Sequence, residues 1–206
     1  MHLRLSVKQC WMAVRKNIEI STTFLFLIAI ALIIVPIQWL CAWILALIIH
    51  ELCHYICLKL FGVRVYKIRI ECRGAIMVAE PLSLGKEAIC AYAGPIGSLL
   101  VLFIARYMPR TAICTFVFSA YNLLPVFPLD GGRGLGCLLR KIFPEGTASM
   151  VQKSVENTVL LSVVIVAFYA VFRLGLGLLP AAVAVILFWR AKGIKIPCKK
   201  SLLGLQ

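Results

Sequence analysis

Two histidines and one glutamate lie within five residues of each other in an otherwise apolar stretch. His50, Glu51 and His54 form the pattern H-E-x-x-H. Each residue of an α-helix turns by about 100°, so the two histidines lie about 40° apart on one face. Two imidazole nitrogens one turn apart can bind one Zn²⁺, and a carboxylate beside them can take a proton from a water molecule that the metal activates. The pattern therefore predicts metal-assisted hydrolysis.

The alternative is that these histidines are ordinary packed residues of a buried helix. Residues 43 to 49, which precede the motif, are all apolar. Ionisable groups in such a helix are costly enough to indicate a functional site. Two of the three histidines in the chain belong to the motif. We therefore favour the metal site.

The composition is that of an integral membrane protein. Of the 206 residues, 62% are hydrophobic and 15% are charged, whereas soluble domains contain about 45–50% apolar and about 25% charged residues. The net charge of +14 does not indicate nucleic-acid binding, because the Lys and Arg residues lie between the apolar segments. They are better explained as signals of membrane topology. We expect the lipid bilayer as a partner and no nucleic acid.

The apolar segments predict an all-α polytopic membrane protein with about six transmembrane helices. Residues 20 to 49 contain no charge, and such a run is too long for one untilted span of about 20 residues. Pro36 interrupts it, so we place span one at residues 20–36 and span two at residues 39–60. A single kinked helix, which would give five spans, is the competing interpretation. The other spans are expected at residues 88–107, 111–124, 157–173 and 176–191.

The distribution of basic residues predicts the topology. With both termini in the cytoplasm, 19 of the 22 Lys and Arg residues lie on the inner side, as the positive-inside rule requires. The five-span alternative does not divide the charge as cleanly. We expect no removed signal peptide, because no cleavage site with small residues precedes the first apolar run. A single domain is expected over residues 1–206, with a basic interfacial segment at 1–19, a catalytic core at 20–133, and spans five and six with a basic tail at 134–206.

Residues 63 to 79 are expected to form a small β-hairpin or sheet on the cytosolic side, between spans two and three. Several β-branched residues alternate there with charged ones, and the pattern breaks at Arg73-Gly74. The exposed edge of a strand can pair with an extended peptide, which makes this segment a candidate substrate-presenting edge. The alternative is a plain connecting hairpin, and the two interpretations remain open.

Asp130 is the candidate for a third metal ligand. A catalytic zinc usually takes three protein ligands and a water. Asp130 is the only aspartate, and it follows span four where that span approaches the inner side, at the depth expected for His50 and His54. The alternative role for Asp130 is a turn or helix cap before two glycines.

The segments on either side of span four suggest how such a site would be assembled. Span three contains several small residues, which allow close helix packing in lipid and are expected to contact the metal-bearing helix. Pro125 and Pro128 stop regular helix before Asp130. Irregular backbone at membrane depth must be shielded by protein or line a wet cavity. Residues 134–156 are expected to be a short, polar, interfacial connection.

Two segments together resemble a known family. H-E-L-C-H at residues 50–54 and N-L-L-P-V-F-P-L-D-G-G-R at residues 122–133 resemble the site-2 protease family of intramembrane zinc metalloproteases, and most closely its sporulation sigma-factor processing branch. A-G-P-I-G-S at residues 93–98 is similar to the third-helix motif of that family. The resemblance covers about residues 40–135.

The resemblance implies a set of roles and partners. It implies that His50, His54 and Asp130 bind zinc and that Glu51 is the general base. The residues that it places in contact with substrate are Asn122, Pro125 and Pro128. The implied reaction is regulated intramembrane proteolysis, in which a peptide bond in or near the transmembrane segment of a membrane-tethered protein is hydrolysed. A bacterial cell membrane and a membrane regulatory partner are also implied.

The sequence departs from the family in several places. Cys53 stands where the zinc motif commonly has glycine, and Ser98 stands where the family often has asparagine. No PDZ-like insertion interrupts the spans, and no C-terminal regulatory domain is expected after span six. The rival functions are a non-catalytic membrane receptor or assembly factor and a metal transporter. The intact Glu51 argues against the first, and the second would need ionisable residues through several spans.

Overall fold

The structure is a computed structural model that describes residues 18–71, 74–173 and 179–193. This part of the chain is mostly helical and contains one small sheet. The strands are β1 (Ile18–Ile20), β2 (Val65–Glu71) and β3 (Gly74–Ala79). The helices are α1 (Thr22–Ile34), α2 (Ile37–Leu60), α3 (Leu84–Ser98) with a 3₁₀ extension (Leu99–Ile104), α4 (Pro109–Asn122), α5 (Asp130–Ile142), α6 (Glu145–Phe172) and α7 (Leu179–Gly193).

The H-E-x-x-H motif lies on α2, and the ends of this helix follow from the local sequence. Pro36 lies directly before its first residue and separates it from α1, as the position of the proline predicted. Lys59 lies in the last turn, where a positive charge interacts favourably with the free carbonyl groups. The chain then turns at Gly62, whose φ of 72° suits a residue without a Cβ.

Among the described residues, three helical segments are long and apolar enough to cross a membrane. They are Ile37–Leu60, Leu84–Ile104 and Glu145–Phe172. Helix α1 has 13 residues and α4 has 14. At about 1.5 Å per residue each is about 20 Å long, shorter than the hydrocarbon core of about 30 Å. The structure thus supports a membrane protein, while the number of about six spans stays a prediction.

Helix α6 differs from the expected connection at residues 134–156. The segment is helical: α5 ends at Ile142, and α6 begins at Glu145 and continues into the region expected for span five. Hydropathy identified only the apolar part of this helix. The first turns of α6 are polar, but their backbone forms the same helical hydrogen bonds as the apolar part. Helix α6 is therefore 28 residues long.

The expected β-hairpin is present, and it belongs to a three-stranded sheet with the order β1-β2-β3. Strands β2 and β3 are antiparallel, with Ile70 opposite Ala75. Strand β1 pairs with β2 in parallel, which the sequence did not indicate. Glu19 of β1 lies 2.7 Å from the Lys67 ammonium and 3.3 Å from the Arg69 guanidinium of β2. The hydrogen bond from Lys67, supported by Arg69, lowers the pKa of Glu19.

Small side chains allow α2, α3 and α4 to pack closely around the motif. Ala42 and Ala46 of α2 form a buried cluster with Cys114 of α4. The Ser98 and Ser119 hydroxyl groups, which are fully buried, are 2.8 Å apart and join α3 to α4. The expected contact between small residues of span three and the metal-bearing helix is confirmed by Gly94 and Gly97 of α3, which face His54 and Cys53 of α2.

Parts of the sequence prediction lie outside the described residues. They are most of the basic interfacial segment, at residues 1–17, the Arg73 side of the hairpin turn, and the basic tail from residue 194 onward.

Candidate metal centre

Three side chains from two helices converge on one point. His50 Nε2 and His54 Nε2, one turn apart on α2, are 3.2 Å from each other. Asp130 Oδ2, at the start of α5, lies 3.0 Å from His50 Nε2 and 3.2 Å from His54 Nε2. The structure therefore brings together the two motif histidines and the aspartate that the sequence singled out as a third ligand.

The surroundings fix the orientation of both rings. His54 Nδ1 donates a hydrogen bond to the Cys90 carbonyl oxygen of α3 at 2.7 Å. A carbonyl oxygen only accepts, so Nδ1 carries the proton and the Nε2 lone pair faces the cluster. The His50 side chain is 3% exposed and packs edge to face on Phe118 of α4, with 4.8 Å between ring centroids. Its Nδ1 is buried and has no hydrogen-bond partner within the described part of the chain.

The three atoms fit a zinc ion. Zn²⁺ binds imidazole nitrogen and carboxylate oxygen at about 2.0–2.2 Å in tetrahedral geometry, which separates neighbouring ligand atoms by about 3.3 Å. The separations of 3.0 to 3.2 Å between His50, His54 and Asp130 are close to this value. Two imidazoles and one carboxylate are also the donor types of a catalytic zinc site with a fourth position for water.

Gly94 makes room for one of the ligands. A Cβ built at Gly94 of α3 would overlap the His54 ring at Cε1 and Nε2. The A-G-P-I-G-S segment therefore contacts the site because only a residue without a side chain fits there. Gly97, one turn later, faces Cys53 in the same way, with 2.9 Å between a built Cβ and the Cys53 Sγ. Cys53 thus packs against α3 and is not one of the three converging ligands.

Gly94→Ala is expected to lower zinc affinity by at least about tenfold, because the added methyl group must displace His54 from its position between Cys90 and Asp130. Competition with a chelator for the zinc of the purified protein measures this change. Gly146→Ala is the matched control, since a Cβ at Gly146 meets no atom within 4 Å. Unchanged affinity in Gly94→Ala would contradict the placement of His54.

The irregular segment between α4 and α5 positions Asp130. Val126 and Leu129 in this segment are completely buried, and the Phe127-Pro128 peptide bond is cis. The first turn of α5 packs backbone to backbone on the segment: a Cβ at Gly131 would overlap Leu123 O, and one at Gly132 would overlap the Val126 carbonyl group. The two glycines after Asp130 therefore allow the helix to start where its first residue reaches the histidines.

Glu51 is held beside the cluster by the sheet. Its Oε1 accepts a hydrogen bond from the Ala75 N–H of β3 at 3.2 Å. Glu51 is not one of the three converging ligands, and it lies next to His50 on α2. The carboxylate is thus fixed near the site and remains available for proton transfer.

A cavity of about 880 Å³ contains the site. Its lining includes the three converging ligands, His50, His54 and Asp130, and the candidate base Glu51. Residues 74–77 of β3 and apolar side chains of α1 also line it. A cavity of this size accommodates an extended peptide segment together with water. A cavity is therefore present next to the irregular segment, as expected, and its filling by water stays a prediction.

The residues expected to contact substrate differ in position. Asn122 and Pro128 line the cavity, whereas Pro125 is not among its lining residues. The Asn122 side-chain amide donates to Phe118 O at 3.0 Å, within its own helix. Their roles in substrate binding stay predictions.

The sequence did not reveal several neighbours of the site. The Cys90 carbonyl and the Ala75 N–H are backbone groups, so their residue types gave no signal. Gln152 and Glu156 of α6 bond to the segment before Asp130 and to the first turn of α5. An acidic residue inside a membrane helix could have indicated this.

Comparisons with known proteins agree with the fold and with zinc as the metal. No protein-family profile matches the chain. A zinc metalloprotease of Methanocaldococcus jannaschii is 28% identical over 145 residues, which are 60% of this chain and 43% of that protein. The chain thus spans less than half the length of that relative. The solved structure of a site-2 protease from Methanocaldococcus jannaschii superposes with a TM-score of 0.60 at 20% identity, over 89% of this chain and 94% of the other.

The two comparisons confirm the resemblance to the site-2 protease family, and the structural one confirms the fold. Similarity to a zinc metalloprotease also supports zinc as the metal for the group formed by His50, His54 and Asp130. The assignment to the sporulation branch is not tested and stays a prediction.

Proposed function

From the site-2 protease fold of this chain, we propose that it is an intramembrane zinc metalloprotease. It would hydrolyse a peptide bond in or near the transmembrane segment of a membrane-tethered protein. The observation that carries the proposal is the convergence of His50, His54 and Asp130 beside Glu51 inside one cavity. The test is release of a soluble fragment from a membrane-tethered substrate by the purified protein.

The residues of the site divide the chemistry among them. His50, His54 and Asp130 would hold the zinc, which supplies Lewis acidity that activates water and polarises the scissile carbonyl. Glu51 takes a proton from the attacking water and later gives one to the leaving amine. The hydrogen bond from the Ala75 N–H fixes one Glu51 oxygen, which leaves the other oxygen for proton transfer.

Strand β3 would present the substrate. In the described part of the chain it is an edge strand of the sheet, and residues 74–77 line the cavity. The Ala75 N–H points away from β2 to Glu51, and alternation along a strand turns the Met77 N–H to the same edge. A substrate segment unwound from its helix can pair with this edge. The paired backbone would then run past Glu51 and the metal ligands.

Met77→Pro is expected to weaken substrate binding with little effect on zinc content. Proline removes one donor from the edge and is tolerated on edge strands. One lost hydrogen bond of about 1 kcal/mol raises KM about fivefold. Met77→Ala is the control, because it removes the side chain and keeps the N–H. The edge-pairing role is wrong if the two variants cleave a membrane-tethered substrate with equal KM.

The location and partners of the protease are part of the proposal. We propose a multi-pass protein of a bacterial cell membrane with both termini in the cytoplasm, a membrane-tethered substrate, and a membrane regulatory partner. The concentration of basic residues in the inner segments supports this orientation. A reporter enzyme that is active only outside the cytoplasm, fused after the last residue, should be inactive. An active fusion would reverse the topology.

A further inference from the structure

Helix α6 holds the segment that delivers Asp130. Glu156 Oε1 accepts hydrogen bonds from the Phe127 N–H at 3.1 Å and from Gln152 Nε2 at 3.1 Å. Gln152 Nε2 also donates to the Gly132 carbonyl oxygen at 3.3 Å. Gln152 and Glu156 lie one turn apart on the same face of α6, so together they form a clasp, which we call the Gln152–Glu156 clasp.

A carboxylate in this helix is costly without partners. Helix α6 is one of the segments apolar and long enough to cross a membrane. Glu156 lies at the polar end of the apolar part of this helix, and a carboxylate that is partly removed from water needs hydrogen-bond partners. Glu156 is half-buried and Gln152 is 5% exposed. Glu156 Oε1 and Gln152 Nε2 are hydrogen-bonded to each other and to backbone groups of the segment before α5 and of its first turn.

The contacts of the clasp lie on both sides of Asp130 in the chain. Phe127 is bound before Asp130, and Gly132 is bound after it. The same stretch is a compact unit, because the glycines after Asp130 pack directly on the backbone of the segment before it. Tyr92 of α3 also bonds to this turn, with its hydroxyl group 3.4 Å from Gly131 O. A shift of the clasp would therefore move Asp130 relative to the two histidines.

We propose that Gln152 and Glu156 are positioning residues that hold Asp130 in reach of the metal. The inference rests on the proposed zinc site, and it assigns to α6 a role in assembling that site. Neither residue touches the cluster. Each acts through the backbone on either side of Asp130.

The test compares substitutions of Glu156 in the full-length protein purified in detergent. Glu156→Leu removes the acceptor, whereas Glu156→Gln keeps an oxygen that can accept from the Phe127 N–H. Glu145→Leu is the matched control, since Glu145 is an exposed glutamate in the first turn of the same helix. The readouts are zinc affinity by chelator competition and the visible absorption spectrum of the Co²⁺-substituted protein, which reports the ligand geometry.

The expected result is a graded loss of metal binding. Loss of a residue that orients a ligand typically costs about 10–100-fold in metal affinity, and we expect this loss and an altered Co²⁺ spectrum in Glu156→Leu. Glu156→Gln should restore both to near the wild-type values, and Glu145→Leu should leave them unchanged. A role of Glu156 in general stability would not produce a changed Co²⁺ spectrum with rescue by glutamine.

The outcomes separate this inference from the proposed function. If the wild-type protein binds zinc and Glu156→Leu binds it equally well with the same Co²⁺ spectrum, the positioning role is wrong and the zinc site stands. If the wild-type protein binds no zinc, the proposed function itself fails. Should Glu156→Leu not fold, Gln152→Met removes the donor to Gly132 O and to Glu156 Oε1 and keeps the Glu156 carboxylate, and unchanged affinity in that variant overturns the inference.

Discussion

Asp130→Ala is expected to remove zinc from the protein and to abolish peptide cleavage. Asp130 Oδ2 lies within 3.2 Å of both histidine nitrogens, and without it the two imidazoles lose the third ligand of the cluster. The loss of affinity should exceed the about 10–100-fold typical of residues that only orient ligands. Zinc per protein, measured by atomic emission after purification in detergent, checks the result.

The control for this substitution is Glu145→Ala, which removes an exposed carboxylate far along the chain from the motif. Its zinc content and activity should equal those of the wild-type protein. An Asp130→Ala protein that keeps a full complement of zinc would show that Asp130 only begins helix α5, which was the alternative role considered for it.

Glu51→Gln is expected to lower cleavage by about 10²–10⁴-fold, the usual contribution of general acid–base catalysis, while zinc content stays at the wild-type value. The amide has nearly the shape of the carboxylate, and its oxygen can still accept the hydrogen bond from the Ala75 N–H. It cannot take a proton from water at neutral pH. The rate of fragment release and the zinc content, measured on the same preparation, give the two values.

Glu71→Gln is the matched control, because Glu71 also lines the cavity and has no assigned role. We expect its rate to stay within about threefold of wild type, well below the loss from a missing base. Full activity in Glu51→Gln would remove Glu51 from the mechanism. Zinc-loaded wild-type protein that cleaves none of several membrane-tethered substrates would favour the receptor or assembly factor that keeps this fold.

The motif helix and its neighbours could be predicted because their signals are local. Pro36 marked the start of α2, and the alternating pattern at residues 63–79 marked the hairpin of β2 and β3. The two prolines before Asp130 marked the irregular segment. Each of these features depends on residues close together in the chain, where proline geometry and side-chain periodicity determine the backbone.

Features that depend on distant residues could not be predicted in this way. Strand β1 pairs with β2 across a separation that includes α1 and α2. Span one was expected at residues 20–36, but strand β1 takes residues up to Ile20 and α1 begins at Thr22. The bonds of Glu156 likewise depend on how α6 packs against a segment that precedes it in the chain. Contacts between distant parts of the chain determine these features, and the hydropathy of a segment alone does not predict them.

The convergence of the three ligands could be predicted from the sequence only in part. Helical spacing was enough to place His50 and His54 on one face of α2. Asp130 could be singled out only from the topology of the spans and the resemblance to a known family. The structure shows why Asp130 comes within 3.2 Å of both histidine nitrogens. Gly94 leaves room for His54, and Gly131 and Gly132 let α5 begin against the preceding segment.

The most direct test of the account is X-ray absorption at the zinc edge of the purified protein. We expect nitrogen and oxygen ligands at about 2.0–2.2 Å, with the scattering pattern of two imidazole rings. That pattern should disappear when His50 or His54 is replaced. Sulfur scattering at about 2.3 Å would mean that cysteines such as Cys53 bind the ion, and this result would contradict the site formed by His50, His54 and Asp130.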